Sequence, residues 1–182
     1  MGDTMVKESL KNYLDRYFES YIEKMGSYPI VPFDEDEVSS LYFGEADEEE
    51  HIQWKYAEKK EYTDFSDLEK KFGVKIADDI KELYNSYYFL QLQGFWHNEY
   101  VYIEEITEYS NIPHKFEYTF ENESKELVPI GMYGNMQLTL CLEISTGNLI
   151  AVDYEGSIPN IILGSLSKFL DEMTPLKDNI KG

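Results

Sequence analysis

The first hydrophobic pattern along the chain is helical. Apolar residues recur at intervals of three and four positions, at Leu10, Tyr13, Leu14, Tyr17, Phe18, Tyr21, Ile22 and Met25. This spacing puts them on one face of a helix, because an α-helix has 3.6 residues per turn. Gly26 follows as a suitable residue to end it. We predict a helix over residues 4–25 whose apolar face packs into the core rather than into a partner.

Two shorter helices are predicted in the middle of the chain. The first follows Asp64 or Ser66, either of which is a suitable N-cap, and ends at Gly73. Its apolar positions are Phe65, Leu68 and Phe72. The second follows Asp78, and its apolar face consists of Ile80, Leu83, Tyr84 and Tyr87.

Alternation of apolar and polar side chains predicts strands in most of the remaining chain, because successive residues of a strand face opposite sides of the sheet. The predicted strands cover residues 52–56, 89–93, 100–106, 128–132, 136–144, 149–154 and 161–163. The turn residues 145–148 join two of them into a hairpin. A last helix begins after Ser165 and stops before Pro175.

The stretch between residues 107 and 126 fits two structures. Ile112, Phe116 and Phe120 are four positions apart, which favours a helix. Phe116, Tyr118 and Phe120 also alternate, which favours a strand. Pro113 suits the first turn of a helix, so we prefer the helix.

The order of the elements predicts the fold class. A helix, a loop, two helices, a set of strands and a closing helix make an α+β fold. We expect a mostly antiparallel sheet of about five to six strands, with N-terminal, central and C-terminal helices packed on it. The chain has 182 residues, 42% of them hydrophobic, which suits one domain over residues 1–182 with its own core.

Charge changes this picture, because the chain carries 36 acidic and 16 basic residues and a formal charge of −20. Residues 34–50 contain no Lys or Arg and nine acids, Asp34, Glu35, Asp36, Glu37, Glu45, Asp47, Glu48, Glu49 and Glu50. Residues 97–126 hold eight more acids against Lys115 and Lys125. Like charges this dense do not bury, so we expect residues 34–50 to be largely solvated.

The acidic balance narrows the possible partners. A strongly negative chain repels phosphate backbones and anionic membrane surfaces, so we expect neither nucleic acid nor stable membrane insertion. It attracts basic proteins instead, and its field accelerates their encounter. If the two acidic tracts converge in space they form one docking site, whereas on opposite faces they do not. The oligomeric state does not follow from these features.

No pattern of catalytic or metal-binding residues stands out. His51, His97 and His114 are too far apart to share a helical face, and Cys141 lies within a predicted strand without a base beside it. Gly131 to Asn135 lacks the spacing of a phosphate-binding loop. We therefore expect a non-enzymatic protein with no metal and no cofactor. The single cysteine and the absence of a signal peptide or a long apolar run favour the cytoplasm.

Aromatic residues at predicted turns complete the candidate partner surface. Trp96, His97 and Tyr100 lie at the tip of a predicted hairpin, and Tyr133 lies at a second turn. Large amphipathic rings often anchor protein interfaces. Local core packing is an equally good explanation for these rings, as simple solubility is for the acids. We predict that the nine acids of residues 34–50 and these four residues contact the partner.

Three segments together resemble the SUKH superfamily. The first is FSDLEKKFGVKIADDIKELY, residues 65–84. The second is residues 127–147, in which VPIG precedes a strand that ends in EISTG. The third is LGSLSKFL, residues 163–170. The N-terminal helix running into MGSYP, the strand with Trp54 and residues 84–94 are similar to the Syd branch, the SecY-interacting proteins.

The resemblance implies an α+β domain without catalytic residues, covering nearly the whole chain. Many SUKH proteins are immunity proteins that face bacterial toxins, often nucleases, and Syd-like members are linked to the SecY translocation channel. The first hypothesis is therefore an immunity protein that sequesters a basic toxin domain. The alternative is a Syd-like regulator that binds the cytosolic loops of SecY, which are themselves cationic. A third hypothesis, an enzyme or small-ligand binder using the sheet face, lacks a supporting motif.

Overall fold

The computed structural model describes residues 5–135 and 138–175. The helices are α1 (Met5–Met25), α2 (Ser66–Phe72), α3 (Asp78–Ser86), α4 (Ile112–Asn122) and α5 (Leu166–Glu172). The strands are β1 (Ile30–Pro32), β2 (Tyr42–Phe43), β3 (His51–Trp54), β4 (Ala57–Glu58), β5 (Tyr87–Tyr88), β6 (Leu92–Trp96), β7 (Glu99–Ile103), β8 (Leu127–Tyr133), β9 (Leu138–Glu143), β10 (Asn148–Val152) and β11 (Ile161–Ser165).

The main sheet has six antiparallel strands in the order β11-β10-β9-β8-β7-β6. Every neighbouring pair is consecutive in the chain, so the sheet is a simple meander. This confirms the predicted α+β fold with an antiparallel sheet. Met136 and Gln137, which belong to one predicted strand, lie outside the described residues.

One face of the sheet and the helices form the core. Leu92, Val101, Leu140, Leu149 and Ala151 are fully buried on that face. Facing them, α1 buries the apolar stripe that its periodicity predicted, with Leu10, Tyr13 and Leu14 fully buried. The stripe does not extend to the end of the helix: Ile22 and Met25 are exposed, because the last turn of α1 passes beyond the core. Thr4, the predicted first residue of the helix, lies outside the described part of the chain.

The closing helix, α5, joins the two edges of the main sheet. It begins directly after β11, and Thr174, two residues beyond its end, forms two backbone hydrogen bonds of 2.8 Å with Phe95 of β6. The Arg16 guanidinium on α1 donates to the carbonyls of Leu170 and Asp171 at 2.8 and 3.0 Å. These bonds hold α1 against α5 across the inner face of the sheet.

The ambiguous stretch is a helix, as preferred from the sequence. Pro113 lies in the first turn of α4, and the Asn111 side chain caps that turn by accepting a hydrogen bond of 3.1 Å from the His114 N–H. Phe116 packs edge-on against Phe65 and Tyr84, with ring centroids 5.4 Å away in each case. The period of four therefore describes the buried face of this helix.

Two small sheets were not predicted. β1, β3 and β2 form a three-stranded antiparallel sheet, and β4 pairs with β5. β3 overlaps the predicted strand over residues 52–56, but the other four strands have only two or three residues, too short to show an alternating pattern. The predicted strand over residues 52–56 accordingly ends at Trp54. Ser165 is the N-cap residue of α5, as predicted, but its side chain makes no capping hydrogen bond.

Candidate functional site

The acidic segment, residues 34–50, connects β1 to β3 and contains β2. All nine of its acids are exposed, which confirms that their side chains are solvated. The segment itself is not a free loop. Leu41 is only 3% exposed and Ser39 only 6%, so its middle is anchored in the protein.

Two carboxylates shape the acidic segment locally. Asp34 Oδ1 accepts hydrogen bonds from the N–H groups of Asp36 and Glu37, at 2.8 and 3.3 Å. Asp47 Oδ1 accepts from the N–H groups of Glu49 and His51, both at 2.9 Å. These backbone bonds, the one from His51 foremost, lower the pKa of Asp47 below its usual range. Both ends of the segment are therefore folded into turns that fix where its acids lie.

Glu108 ties the acidic segment to the second acidic tract, residues 97–126. Its carboxylate accepts hydrogen bonds from the Ser39 hydroxyl, at 3.2 Å, and from the Ser40 backbone N–H. The neighbouring Tyr109 hydroxyl donates to the Val38 carbonyl at 2.9 Å. Partial burial by itself raises the pKa of Glu108, but the hydrogen bonds from Ser40 and Ser39 outweigh it, so the pKa lies below its usual range.

A cleft of about 230 Å³ opens between the two joined segments, and we call it the acidic cleft. It contains three carboxylates, those of Asp34 and Glu37 from the first tract and Glu105 from the second. Its less polar wall is formed by Val31, Pro32, Tyr42, Leu90 and Tyr109. Negative charge next to exposed ring and aliphatic surface is suited to Lys and Arg side chains, which combine a cationic head with an apolar stem.

A second cavity of about 450 Å³ adjoins the acidic cleft, and Glu105 lines both. This cavity lies between α3, β7 and α4, with Leu83, Ile106 and Ile130 in its lining. Lys115 pairs with Glu104 within that lining, so the charge of Glu104 is locally balanced.

Only part of the second acidic tract reaches the acidic cleft. Glu117 and Glu121 on α4 point elsewhere and pair with Lys71 of α2, the latter at 3.1 Å.

The sequence patterns did not single out Glu105, Glu108 or Tyr109, although they marked the acidic tract that contains these residues. The convergence of the tracts depends on a contact between Ser39 and Glu108, which are 69 positions apart, and no local pattern reports such a contact.

Four residues at predicted turns, Trp96, His97, Tyr100 and Tyr133, were predicted to contact the partner. Three of them, Trp96, His97 and Tyr133, come together at the β6–β7 hairpin, and we call these three the hairpin cluster. The Trp96 ring stacks on His97, with centroids 4.0 Å apart, and on Phe169 of α5, at 5.2 Å. Tyr133 packs on Trp96 at 6.3 Å and is buried. The Trp96 Nε1–H donates to Glu172 at 3.1 Å. His97 is the exposed member of this cluster.

Tyr100 does not join this cluster. In the β6–β7 pairing Tyr100 lies opposite Phe95, whereas Trp96 lies opposite Glu99, so Tyr100 and Trp96 face opposite sides of the sheet. The Tyr100 hydroxyl donates to Gln93 at 2.8 Å.

The hairpin cluster is also separate from the acidic cleft. Gln91 lines the cleft, and Trp96 is five residues further along the chain, roughly 16 Å in an extended strand.

The single cysteine lies inside the protein. Cys141 is fully buried, and that burial raises the pKa of its thiol. Within residues 5–135 and 138–175, no group of three or more His, Cys, Asp or Glu side chains is placed to hold a metal ion. No helix in the same residues has the length and apolar character needed to cross a bilayer.

Comparison with known families identifies the chain. The family model described as Syd protein (SUKH-2) matches residues 7–106, more than half of the chain. The match includes the 65–84 segment, whereas the 127–147 and 163–170 segments lie beyond it. A search of curated proteins found no match. The matched region contains α1, the small sheet with the acidic segment, and the strands up to β7. The chain therefore belongs to the Syd (SUKH-2) family, a family of binding proteins of the SecY-interacting or immunity type.

Proposed function

We propose that this protein is a non-enzymatic immunity protein that neutralises a basic bacterial toxin domain by binding it through the acidic cleft. The observation that carries the proposal is the junction of the two acidic tracts, which places Asp34, Glu37 and Glu105 around one cleft. Such a protein acts in the cytoplasm by direct binding and needs neither a cofactor nor catalytic residues.

The geometry of the acidic cleft supports tight binding of cations. The hydrogen bonds of Glu108 and Tyr109 fix the acidic segment before any partner arrives. Binding therefore loses less conformational entropy than it would with a free loop. The ring faces of Tyr42 and Tyr109 offer apolar surface for the stems of Lys and Arg side chains.

Inhibition follows from occupancy of the toxin's own cationic surface. A nuclease toxin needs Lys and Arg side chains to hold the phosphates of its substrate. A chain of charge −20 competes for that surface, and its field steers the encounter at low salt. Exposed His97, stacked on Trp96, forms a second contact at the hairpin cluster in this proposal.

Co-expression tests the proposal. The chain is produced in bacterial cells together with the toxin domain encoded beside it, and survival and complex formation are measured. We expect protection and a stable complex whose affinity falls as salt is raised, because the contact is between opposite charges. Cells that die despite co-expression, together with toxin that elutes free of this chain, would refute the proposal.

The Syd family match favours one alternative, binding to the cytosolic loops of the SecY channel. Those loops are rich in Lys and Arg, so the acidic cleft suits them as well. Pull-down with SecY in detergent separates the two proposals. Capture of SecY without protection from the toxin supports the alternative, and protection from the toxin without capture of SecY supports the immunity function.

A further inference from the structure

One edge of the main sheet is open. At the opposite edge, β6 is covered because Phe95 forms backbone hydrogen bonds with Thr174. β11 pairs with β10 on one side only, and its outer side has no strand partner in the described part of the chain. A strand edge of this kind presents unpaired N–H and C=O groups to any extended backbone that approaches it.

Apolar side chains are exposed on β11 and on the connection that precedes it. Ile161 and Ile162 of β11 are 40% and 76% exposed, and Tyr154 and Ile158 of the β10–β11 connection are 65% and 45% exposed; we call these four residues the β11 patch. Ile162 lies across from Ile150, which in turn lies across from Cys141, and the Tyr154 hydroxyl is 3.8 Å from the Cys141 sulfur. Ile162 and Tyr154 therefore share one face of the sheet, and Ile162 lies on the open edge strand itself.

Most of the β11 patch lies in an uncharged stretch of the chain. Residues 156–167, which include Ile158, Ile161 and Ile162, contain no Asp, Glu, Lys or Arg, although 29% of the whole chain is charged. Tyr154 is the member of the patch with charged neighbours, Asp153 and Glu155. Open edges of monomeric proteins usually carry charged side chains, Lys above all, that prevent pairing with another strand. A bulge at Leu163 and Gly164 shortens the regular edge here, but β11 itself, residues 161–165, carries no charged side chain.

We propose that the β11 patch is the interface of a homodimer, in which β11 pairs antiparallel with β11 of a second copy about a two-fold axis. Such an interface is complementary to itself, since each copy offers the same edge. It places the two Ile162 side chains side by side and extends two six-stranded sheets into one.

Charge favours a second copy over the cationic partner as the occupant. Two chains of charge −20 repel each other, so they approach most easily where a stretch of surface is uncharged. A cationic partner is drawn instead to the acidic cleft, which adjoins β6 and β7. Five strand spacings separate β11 from β6, about 24 Å along the sheet. Both contacts are therefore compatible with one another.

Sedimentation of the full-length chain over a range of concentrations tests the proposal. The bulge limits the paired edge to a few residues, so we expect a reversible dimer with a dissociation constant in the micromolar range, about 1–100 μM. Raising salt strengthens this dimer because it screens the repulsion between copies, whereas it weakens the toxin complex. A chain that stays monomeric at high salt and high concentration would overturn the proposal.

Substitutions locate the interface. Ile162→Lys puts a charge on each side of the two-fold axis, so we expect it to abolish the dimer while thermal unfolding and toxin protection stay unchanged. Tyr62→Lys is the matched control, because Tyr62 is equally exposed, at 74%, but lies before α2. A dimer that survives Ile162→Lys, or that Tyr62→Lys disrupts to the same extent, would contradict this interface.

Cross-linking gives a second measurement that does not depend on the lysine variant. The natural Cys141 is buried, so a thiol introduced by Ile162→Cys is the reactive one. Cross-strand neighbours have Cβ atoms about 5 Å apart, close enough for oxidation to join two copies. We expect covalent dimers from Ile162→Cys and none from Tyr62→Cys. Equal yields from the two variants would contradict the proposal.

Discussion

The Ser39 hydroxyl donates a hydrogen bond of 3.2 Å to the carboxylate of Glu108, and this contact joins the two acidic tracts of the chain. The backbone N–H of Ser40 donates to the same carboxylate. Both tracts are negatively charged, and they stay together because the Glu108 carboxylate accepts these two hydrogen bonds from the acidic segment. The acidic cleft therefore depends on Glu108, although Glu108 is not one of the residues that line it.

Glu108→Ala should release the middle of the acidic segment. Because Glu108 is exposed, we expect a loss of only about 1 kcal/mol in the free energy of unfolding. The local effect is larger: the Ser40 amide should exchange with solvent faster, and affinity for the basic partner should fall about tenfold, since the segment must then be ordered on binding. Hydrogen exchange and a binding titration measure the two effects. Glu126→Ala removes the same charge from another exposed site and should change neither.

The hydrogen bonds that Glu108 accepts from Ser39 and Ser40 should also respond to acid. The pKa of Glu108 is lowered in the folded protein, so its contribution to stability is complete above the unfolded pKa of about 4.3 and disappears as the pH falls through the lower folded pKa. We expect residues 38–41 to stay tethered at neutral pH and to be released below about pH 4. The amide signals of Ser40 and Leu41 in an NMR pH titration should report the release. In Glu108→Ala those signals should show no transition in this range.

Neutralising the acidic cleft should slow association with the basic partner. In Asp34→Asn/Glu37→Gln/Glu105→Gln the shape is kept, since the amide that replaces the Asp34 carboxylate retains an oxygen to accept from Asp36 and Glu37. We expect the association rate at low salt to fall about 10- to 100-fold, because the local field is weakened. Glu19→Gln/Glu23→Gln/Glu126→Gln removes as many charges from exposed positions elsewhere. An equal loss of rate in that control would mean that net charge acts without a localised site.

Variants of two residues in the hairpin cluster distinguish an effect on stability from an effect on binding. Trp96→Ala removes the contacts with Phe169 and Tyr133 and the hydrogen bond to Glu172, so we expect a loss of about 2–3 kcal/mol in the free energy of unfolding. His97 is exposed, and His97→Ala should alter stability by less than about 0.5 kcal/mol. If the cluster contacts the partner, His97→Ala weakens binding several-fold at unchanged melting temperature. Unchanged binding would limit the partner surface to the acidic cleft.

Sequence patterns predicted the elements that bury one face at a regular period. The period of α1 and the alternation of β9 and β10 reflect burial of one face, and Pro113 at the start of α4 decided between helix and strand. Only β3 of the small three-stranded sheet was predicted, because strands as short as Tyr42–Phe43 are held by their neighbours rather than by their own pattern.

The sequence predicted which residues of the candidate site are exposed to solvent, but not which of them lie next to each other. Solvation of the nine acids follows from charge density alone. The alignment of Asp34 and Glu37 with Glu105 depends on Glu108, and the position of the Trp96 ring depends on Phe169 from the last helix. Such contacts join positions about 70 residues apart, where a single sequence carries no local signal.

Gly94→Ala should be among the most damaging small changes in the chain. A Cβ at this position would lie 2.6 Å from the Thr174 carbonyl oxygen and even closer to the Tyr13 hydroxyl, which donates to the Gln93 carbonyl at 2.7 Å. Gly94 therefore lets α1 and the end of α5 approach β6 closely. We expect a loss of about 2–4 kcal/mol in the free energy of unfolding, measured by denaturant titration.

A double-mutant cycle with Tyr13→Phe tests this explanation. Tyr13→Phe alone removes one hydrogen bond and should cost about 1 kcal/mol. Combined with Gly94→Ala it also removes the closer of the two clashing atoms, so the double variant should be more stable than the sum of the single losses predicts. Recovery should be incomplete, because the Thr174 carbonyl remains in place, held by its hydrogen bond from the Phe95 N–H. Strict additivity of the two losses would mean that Gly94 is required for some other reason than its approach to Tyr13.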